Sequence, residues 1–109
     1  MPTLNRRRNK YGVAPKDART YDGITFASKR EMEVYIELSM LARTGAISCL
    51  ERQPKFPFPM GFSYVADFAF WQDGKRRVID VKGHETAVFK LKRKCMEHFY
   101  PTVKLEVWK

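Results

Sequence analysis

The chain has 109 residues, of which 44% are hydrophobic, and a formal net charge of +9 at pH 7. This length suits one domain, and the apolar content suffices for a core without disulfides or a structural metal, which argues against a disordered chain. No apolar run approaches the roughly 18 residues needed to cross a membrane, and the first residues lack a secretory signal pattern, so we expect a cytoplasmic protein. A surface of this charge attracts polyanions, and nucleic acid is favoured over acidic proteins or membrane surfaces.

The two cysteines, Cys49 and Cys95, lie in apolar stretches and have no partner at the spacing of a metal site. We expect both to be buried, reduced thiols. A disulfide between them is the alternative, although no pattern in the sequence favours it.

The most basic segment is residues 1–20, with six cations against one acid, Asp17, and few large apolar residues. The cations are Arg6, Arg7, Arg8, Lys10, Lys16 and Arg19. We expect this segment to be a flexible arm that binds phosphates, the alternative being a solubilising tail. Residues 21–109 are then a single folded domain.

Two helices are predicted. The first covers residues 28–44, where Ser28 and Glu31 have the spacing of a capping box and Gly45 ends the helix. It follows a short extended segment over residues 21–27 that contains the turn pair Asp22-Gly23. The second helix covers residues 86–100.

Between the helices, the sequence predicts three strands over residues 47–56, 62–71 and 76–82, and a last strand over residues 103–108 follows the second helix. Asp73-Gly74 is a strong signal for a hairpin turn between the second and third strands. The order αβββαβ predicts an α/β (α+β) protein with a central mixed sheet flanked by helices.

The hairpin turn sets the pairing of its two strands. If Asp73-Gly74 is the turn, then Gln72 faces Lys75, and five pairs further on Asp67 faces Asp80. Directly opposed Cβ atoms lie about 4.5–5.5 Å apart, where two carboxylates repel each other. Such a pair is usually tolerated through a shared proton or a bound cation.

Lys82 lies two residues beyond Asp80 and therefore projects from the same face of the strand. The alternative interpretation is a solvent-facing hairpin on which Lys82 balances the acids. The neighbours on that face argue against it because they are apolar: Val65, Ala69 and Val78.

The first helix carries one more acid in an unexpected position. At about 100° per residue, Glu31 shares a stripe with Val34, Tyr35, Leu38 and Ala42, whereas Glu33 and Glu37 lie on the opposite side. Glu31 therefore points toward the core side, either as the capping-box partner of Ser28 or as a metal-site residue.

Together these residues resemble the PD-(D/E)XK nuclease superfamily. Asp67, Asp80-Val81-Lys82 at a strand end and Glu31 fit its pattern of acids and lysine. Residues 21–100 are similar, more narrowly, to small phage nucleases related to endonuclease I and Holliday-junction resolvases. The matching stretches are Asp22-Gly23-Ile24-Thr25-Phe26, Ser28-Lys29, Leu50-Glu51-Arg52-Gln53-Pro54, Ala66-Asp67-Phe68, and Asp80-Val81-Lys82-Gly83 followed by Thr86. Two departures are Ala66 in place of the superfamily's proline and Asp80 in place of glutamate.

The resemblance implies a restriction-endonuclease-like fold and metal-dependent hydrolysis of DNA. Asp67, Asp80 and the Val81 carbonyl would ligate Mg²⁺, with Mn²⁺ as a substitute. Glu31 would bind a second metal or hold a metal-bound water, and Lys82 would position or deprotonate the attacking water. The number of metals and the DNA structure cut stay open; junction cleavage by a homodimer, a nuclease of looser specificity and a non-catalytic DNA-binding module are the alternatives.

Further cations are expected to contact DNA. On the second helix, Lys90, Arg93 and Lys94 lie opposite a stripe formed by Val88, Leu91, Cys95 and Phe99, and Lys92 lies near that stripe, from where its ammonium can reach the catalytic edge. The remaining candidates for DNA contacts are Arg6, Arg7, Arg8, Lys29 and Gln53.

Overall fold

The fold is taken from a computed structural model that describes residues 13–109. The described chain begins with a 3-10 helix over Lys16–Arg19 and a hairpin of β1 (Thr20–Tyr21) and β2 (Ile24–Thr25). Asp22 and Gly23 have φ values of 54° and 76°, as the two-residue turn of such a hairpin requires. Residues 16–20 of the predicted arm thus have regular structure, while Arg6, Arg7, Arg8 and Lys10 lie outside the described residues.

The first helix, α1 (Lys29–Arg43), has the predicted ends and the predicted buried face. The Ser28 Oγ accepts a hydrogen bond of 3.0 Å from the Glu31 N–H, which satisfies one free donor of the first turn. Glu31, Val34 and Leu38 are the buried residues of this helix. The predicted stripe is therefore confirmed.

Five strands, rather than three, lie between the helices. They are β3 (Ser48–Arg52), β4 (Lys55–Pro57), β5 (Ser63–Val65), β6 (Phe68–Gln72) and β7 (Lys75–Val81). The predicted continuous strands 47–56 and 62–71 are wrong. The first is interrupted at Gln53, where φ is 52°, and at Pro54, which has no N–H to donate. The second changes partners between β5 and β6, because the Ala66 N–H donates to the Pro54 carbonyl whereas the Asp67 N–H donates to the Ile79 carbonyl. The β4–β5 pair forms a separate small sheet.

The central sheet has the strand order β3-β6-β7-β8, where β8 is Lys104–Trp108. Its pairs are antiparallel except β7–β8, which is parallel and is connected through α2 (Ala87–Phe99). In the β6–β7 hairpin Gln72 pairs with Lys75, which confirms the predicted register.

The two faces of this sheet have separate cores. On one face, α1 packs Val34 and Leu38 against the strands, whose contributions are Phe68, Phe70 and Ile79. On the other face, α2 and the β4–β5 hairpin cover Ala69 and Val78. The chain is thus a small α+β protein with a helix on each side of a mixed sheet.

The face that α2 buries differs from the predicted stripe. Phe89 and Met96 are buried, whereas Val88 and Leu91 are 63% and 58% exposed. The Phe89 ring lies 6.2 Å from the Tyr64 ring, so the larger side chains take the sheet side of the helix. Both stripes have helical spacing, and only the packing against β5 distinguishes them.

Three further expectations about exposure need correction or qualification. Cys49 is exposed, at a register shift between β3 and β6, where its φ is 55°. Cys95 is partly buried, and both thiols are free. Val65 is 50% exposed because it ends β5 of the small sheet, outside the central one.

Neither α1 nor α2 has the length and apolar composition needed to cross a lipid bilayer.

Candidate functional site

The two hairpin acids lie at the end of the central sheet, where regular β6–β7 pairing stops. The last Cα pair is Phe68–Ile79, one step before Asp67 and Asp80. Asp67 is held by its backbone, because its N–H donates to the Ile79 carbonyl and its carbonyl accepts from the Gln53 N–H, at 3.1 and 2.9 Å. Its Oδ2 accepts a hydrogen bond of 2.7 Å from the Val81 N–H. The Asp67 carboxylate is therefore oriented by the strand that carries Asp80.

Asp80 is 3% exposed and has two side-chain partners. Its Oδ1 lies 3.2 Å from Lys82 Nζ, and its Oδ2 accepts a hydrogen bond from the Tyr64 hydroxyl. Lys82 Nζ also lies 4.8 Å from the centre of the Phe89 ring. Asp80 in β7 and Lys82, the residue after this strand, thus project to the same side, as predicted, next to Phe89 in the first turn of α2.

Glu31 approaches the same end of the sheet from α1, although α1 covers the other face. Its side chain is 5% exposed, and the described residues provide no hydrogen bond from Ser28 to its carboxylate. The Glu31 backbone therefore joins the cap while the carboxylate stays available. Glu33, by contrast, is exposed and lies 3.8 Å from Arg30.

The charges at this end of the sheet influence one another. The pKa of Asp67 is raised to about 7, chiefly by burial, with Glu31 and Asp80 adding to the increase and the Val81 N–H opposing it. Burial also raises the pKa of Glu31, partly offset by Arg52 and raised further by Asp80. The pKa of Tyr64 is raised by burial and by its hydrogen bond to Asp80, so its hydroxyl remains a donor.

The raised pKa of Asp67 predicts a pH-dependent stability. The unfolded carboxyl titrates near 3.8, so between about pH 4 and 7 the folded state holds the extra proton and loses stability as pH rises. We expect Asp67→Asn, which keeps an acceptor for the Val81 N–H, to be more stable than the wild type by roughly 2 kcal/mol at pH 8 and no more stable at pH 4. Urea unfolding in EDTA at both pH values measures this, and an equal difference at the two would contradict it.

Two residues of the site escaped the sequence interpretation. Tyr64 contacts Asp80, which lies sixteen residues further along the chain, and no local sequence pattern predicts this contact. Arg52 lies opposite Phe68 in the β3–β6 pair, its guanidinium stands 4.9 Å over the Phe26 ring, and it lowers the pKa of Glu31. Its buried Nε has no hydrogen-bond partner among residues 13–109. The sequence feature that pointed to Arg52 was its position in the stretch Leu50-Glu51-Arg52-Gln53-Pro54, which resembles the small phage nucleases.

The predicted DNA-binding residues differ in their surroundings. Exposed ones are Lys29, Gln53, Lys90 and Lys94. Arg93 is not a free surface cation, because it lies 2.9 Å from Glu85 and 5.2 Å above the Phe89 ring, which places it beside the core rather than opposite it. Arg6, Arg7 and Arg8 fall outside the described part of the chain.

Lys92 lies, as predicted, on the side of α2 that faces the acids. It helps to line a cleft of about 230 Å³ between β5, β7 and α2. The other lining residues are Tyr64, Val65, Asp80, Lys82, Thr86, Val88 and Phe89. One acid and two lysines therefore share an opening to solvent.

Whether these residues suit a divalent metal depends on their donors and spacing. Among residues 13–109, no three His, Cys, Asp or Glu side chains stand together as a preformed metal site. The donor chemistry nevertheless fits Mg²⁺, since Asp67, Asp80 and Glu31 supply hard carboxylate oxygens. Burial and mutual repulsion disfavour the charged forms of Asp67 and Glu31, a cost that a bound cation would relieve.

Comparison with known families places the chain in a group defined by sequence alone. Residues 8–109 match the model of a family described as a protein of unknown function (DUF1064), and the chain belongs to this family. No curated protein matches the chain.

Proposed function

We propose that this protein is a cytoplasmic, Mg²⁺-dependent endodeoxyribonuclease with a restriction-endonuclease-like core of the PD-(D/E)XK kind, acting on branched or junction DNA. The observation that carries the proposal is the contact of 3.2 Å between Asp80 and Lys82 at the end of β7, beside Asp67, which directly precedes the neighbouring strand β6. Buried acids that approach a lysine at the mouth of a cleft are costly for stability, and function is the common reason for such a cost.

In this proposal Asp67, Asp80 and the Val81 carbonyl would hold the metal, and Glu31 on α1 would bind a second metal or hold a metal-bound water. An ion held there, Mg²⁺ or Mn²⁺, would supply Lewis-acid activation of the scissile phosphate. Tyr64 keeps the Asp80 carboxylate in one orientation through its hydroxyl. The Val81 N–H does the same for Asp67.

Lys82 performs the proton chemistry of the proposal. Its Nζ, between the Asp80 carboxylate and the Phe89 ring, would position the attacking water as an ammonium or, after first losing a proton to solvent, would accept one from that water and become the ammonium again. The same charge offsets the negative charge that develops on the phosphate. Lys92, across the cleft, binds an adjacent phosphate.

Cleavage of a four-way junction and of a linear duplex of the same sequence tests the proposal. We expect Mg²⁺ to be required, EDTA to stop the reaction, and the junction to be cut faster. Equal rates would indicate a nuclease of low specificity. Binding without cleavage in either Mg²⁺ or Mn²⁺ would identify a non-catalytic DNA-binding module and refute the proposal.

Two cuts across a junction call for two sites, so we expect the active species to be a homodimer.

The basic residues at the start of the chain give a separate prediction. Residues 1–12 carry Arg6, Arg7, Arg8 and Lys10, and their removal spares the described 3-10 helix and β1. We expect the truncated protein to bind duplex DNA more weakly, with a slope of log affinity against log salt reduced by roughly 0.9 for each lost phosphate contact. Affinity measured at several salt concentrations tests this, and an unchanged slope would show that these cations do not contact DNA.

A further inference from the structure

The cleft beside Asp80 has apolar walls at its mouth that the chemistry above does not use. Val65, at the end of β5, is 50% exposed, and Val88, in the first turn of α2, is 63% exposed. Both line the cleft, Val65 from β5 and Val88 from α2. Exposed aliphatic side chains on two separate elements thus flank a charged interior.

The interior of the cleft has the opposite character. Lys82 and Lys92 provide positive charge, Asp80 adds one carboxylate that is already paired with Lys82, and Tyr64 and Phe89 form part of the wall. An occupant that suits both parts has anionic groups for the lysines and an apolar face for the valines. A nucleotide whose base is unpaired has this combination, whereas a duplex presents phosphates outward and keeps its base faces stacked inside.

The size of the cleft points the same way. The cleft has a volume of about 230 Å³ and opens to solvent, so it has room for a single base or sugar.

We propose that this cleft binds an unpaired nucleotide, clamped between Val65 and Val88, so that the protein prefers DNA strands with unpaired bases next to the cut. This inference rests on the proposed function for the identity of the polymer, and it narrows the substrate to single-stranded or branch-point DNA. The valines are specificity-determining residues, and they take no part in the phosphate chemistry.

The test measures binding without cleavage. Fluorescence anisotropy in EDTA compares a labelled single-stranded deoxyoligonucleotide with the duplex of the same sequence. The protein variants are Val65→Ser and Val88→Ser. Leu91→Ser is the matched control, because Leu91 is 58% exposed on the same helix but does not line the cleft.

We expect each valine variant to bind the single strand about fivefold more weakly, as partial loss of a buried aliphatic contact implies, with duplex binding unchanged. Leu91→Ser should behave as the wild type on both probes. Equal losses of affinity for the single strand and the duplex would overturn the proposal. No loss of affinity for either probe would also overturn it, and would favour a protein partner as the molecule that contacts Val65 and Val88. Failure of the proposed nuclease activity would instead appear as absence of Mg²⁺-dependent cleavage by the wild type, which these binding measurements do not involve.

Discussion

Asp80→Asn is expected to abolish cleavage while DNA binding survives. The substitution removes one negative charge from the proposed metal site. The asparagine amide oxygen can still accept a hydrogen bond from the Tyr64 hydroxyl, so the fold should hold. Loss of several kcal/mol of transition-state stabilisation corresponds to a rate reduced by roughly a thousandfold or more. Single-turnover cleavage at saturating Mg²⁺, with anisotropy measurements of DNA affinity, gives both quantities.

Asp73→Asn is a suitable control for this experiment. Asp73 is exposed in the β6–β7 turn, where its φ is 52°, and asparagine tolerates that conformation equally well. The control makes the same change of charge at the opposite end of the hairpin. Turnover of Asp80→Asn equal to that of the control would remove Asp80 from the catalytic residues.

Glu31→Gln is expected to cause the second large loss of activity, with stability barely changed. The contact that caps α1 uses the Glu31 N–H and not its carboxylate, so glutamine preserves the cap. The carboxylate itself is buried near Asp67, Asp80 and Arg52, where its charge has no capping role. We expect cleavage to fall by about a hundredfold or more, the scale on which loss of a metal-site carboxylate acts.

The neighbouring Glu33 provides the comparison for Glu31. It is exposed on the far side of α1, so Glu33→Gln removes the same charge from the same helix turn at little cost. Single-turnover cleavage and melting temperatures of both variants distinguish the possibilities. Loss of activity in Glu33→Gln with normal activity in Glu31→Gln would reverse the assignment of the two acids.

Local signals in the sequence were sufficient for the helix ends, the hairpin turn and its register. Ser28 caps α1, and Asp73-Gly74 forms the turn, because each acts on backbone groups only a few residues away. The register then places Asp67 and Asp80 at the same end of the hairpin, and the strand period places Lys82 beside Asp80. These relations require no knowledge of the rest of the fold.

The remaining features depended on contacts between distant parts of the chain. The departure of β4 and β5 from the central sheet depends on how Gln53 and Ala66 are tied to Asp67 and Pro54, and periodicity within a strand carries no information about it. The buried face of α2 was chosen between two apolar stripes by the area that Phe89 buries against Tyr64.

Strand geometry sets the spacing of Asp67, Asp80 and Lys82, so the approach of these two acids and this lysine follows from their positions along the chain. Their surroundings come from parts of the chain that are distant in sequence: Tyr64 on Asp80, Arg52 near Glu31, and the valines that line the cleft. Hydrogen bonds and turns act locally along the chain, whereas burial depends on the area available across the whole fold.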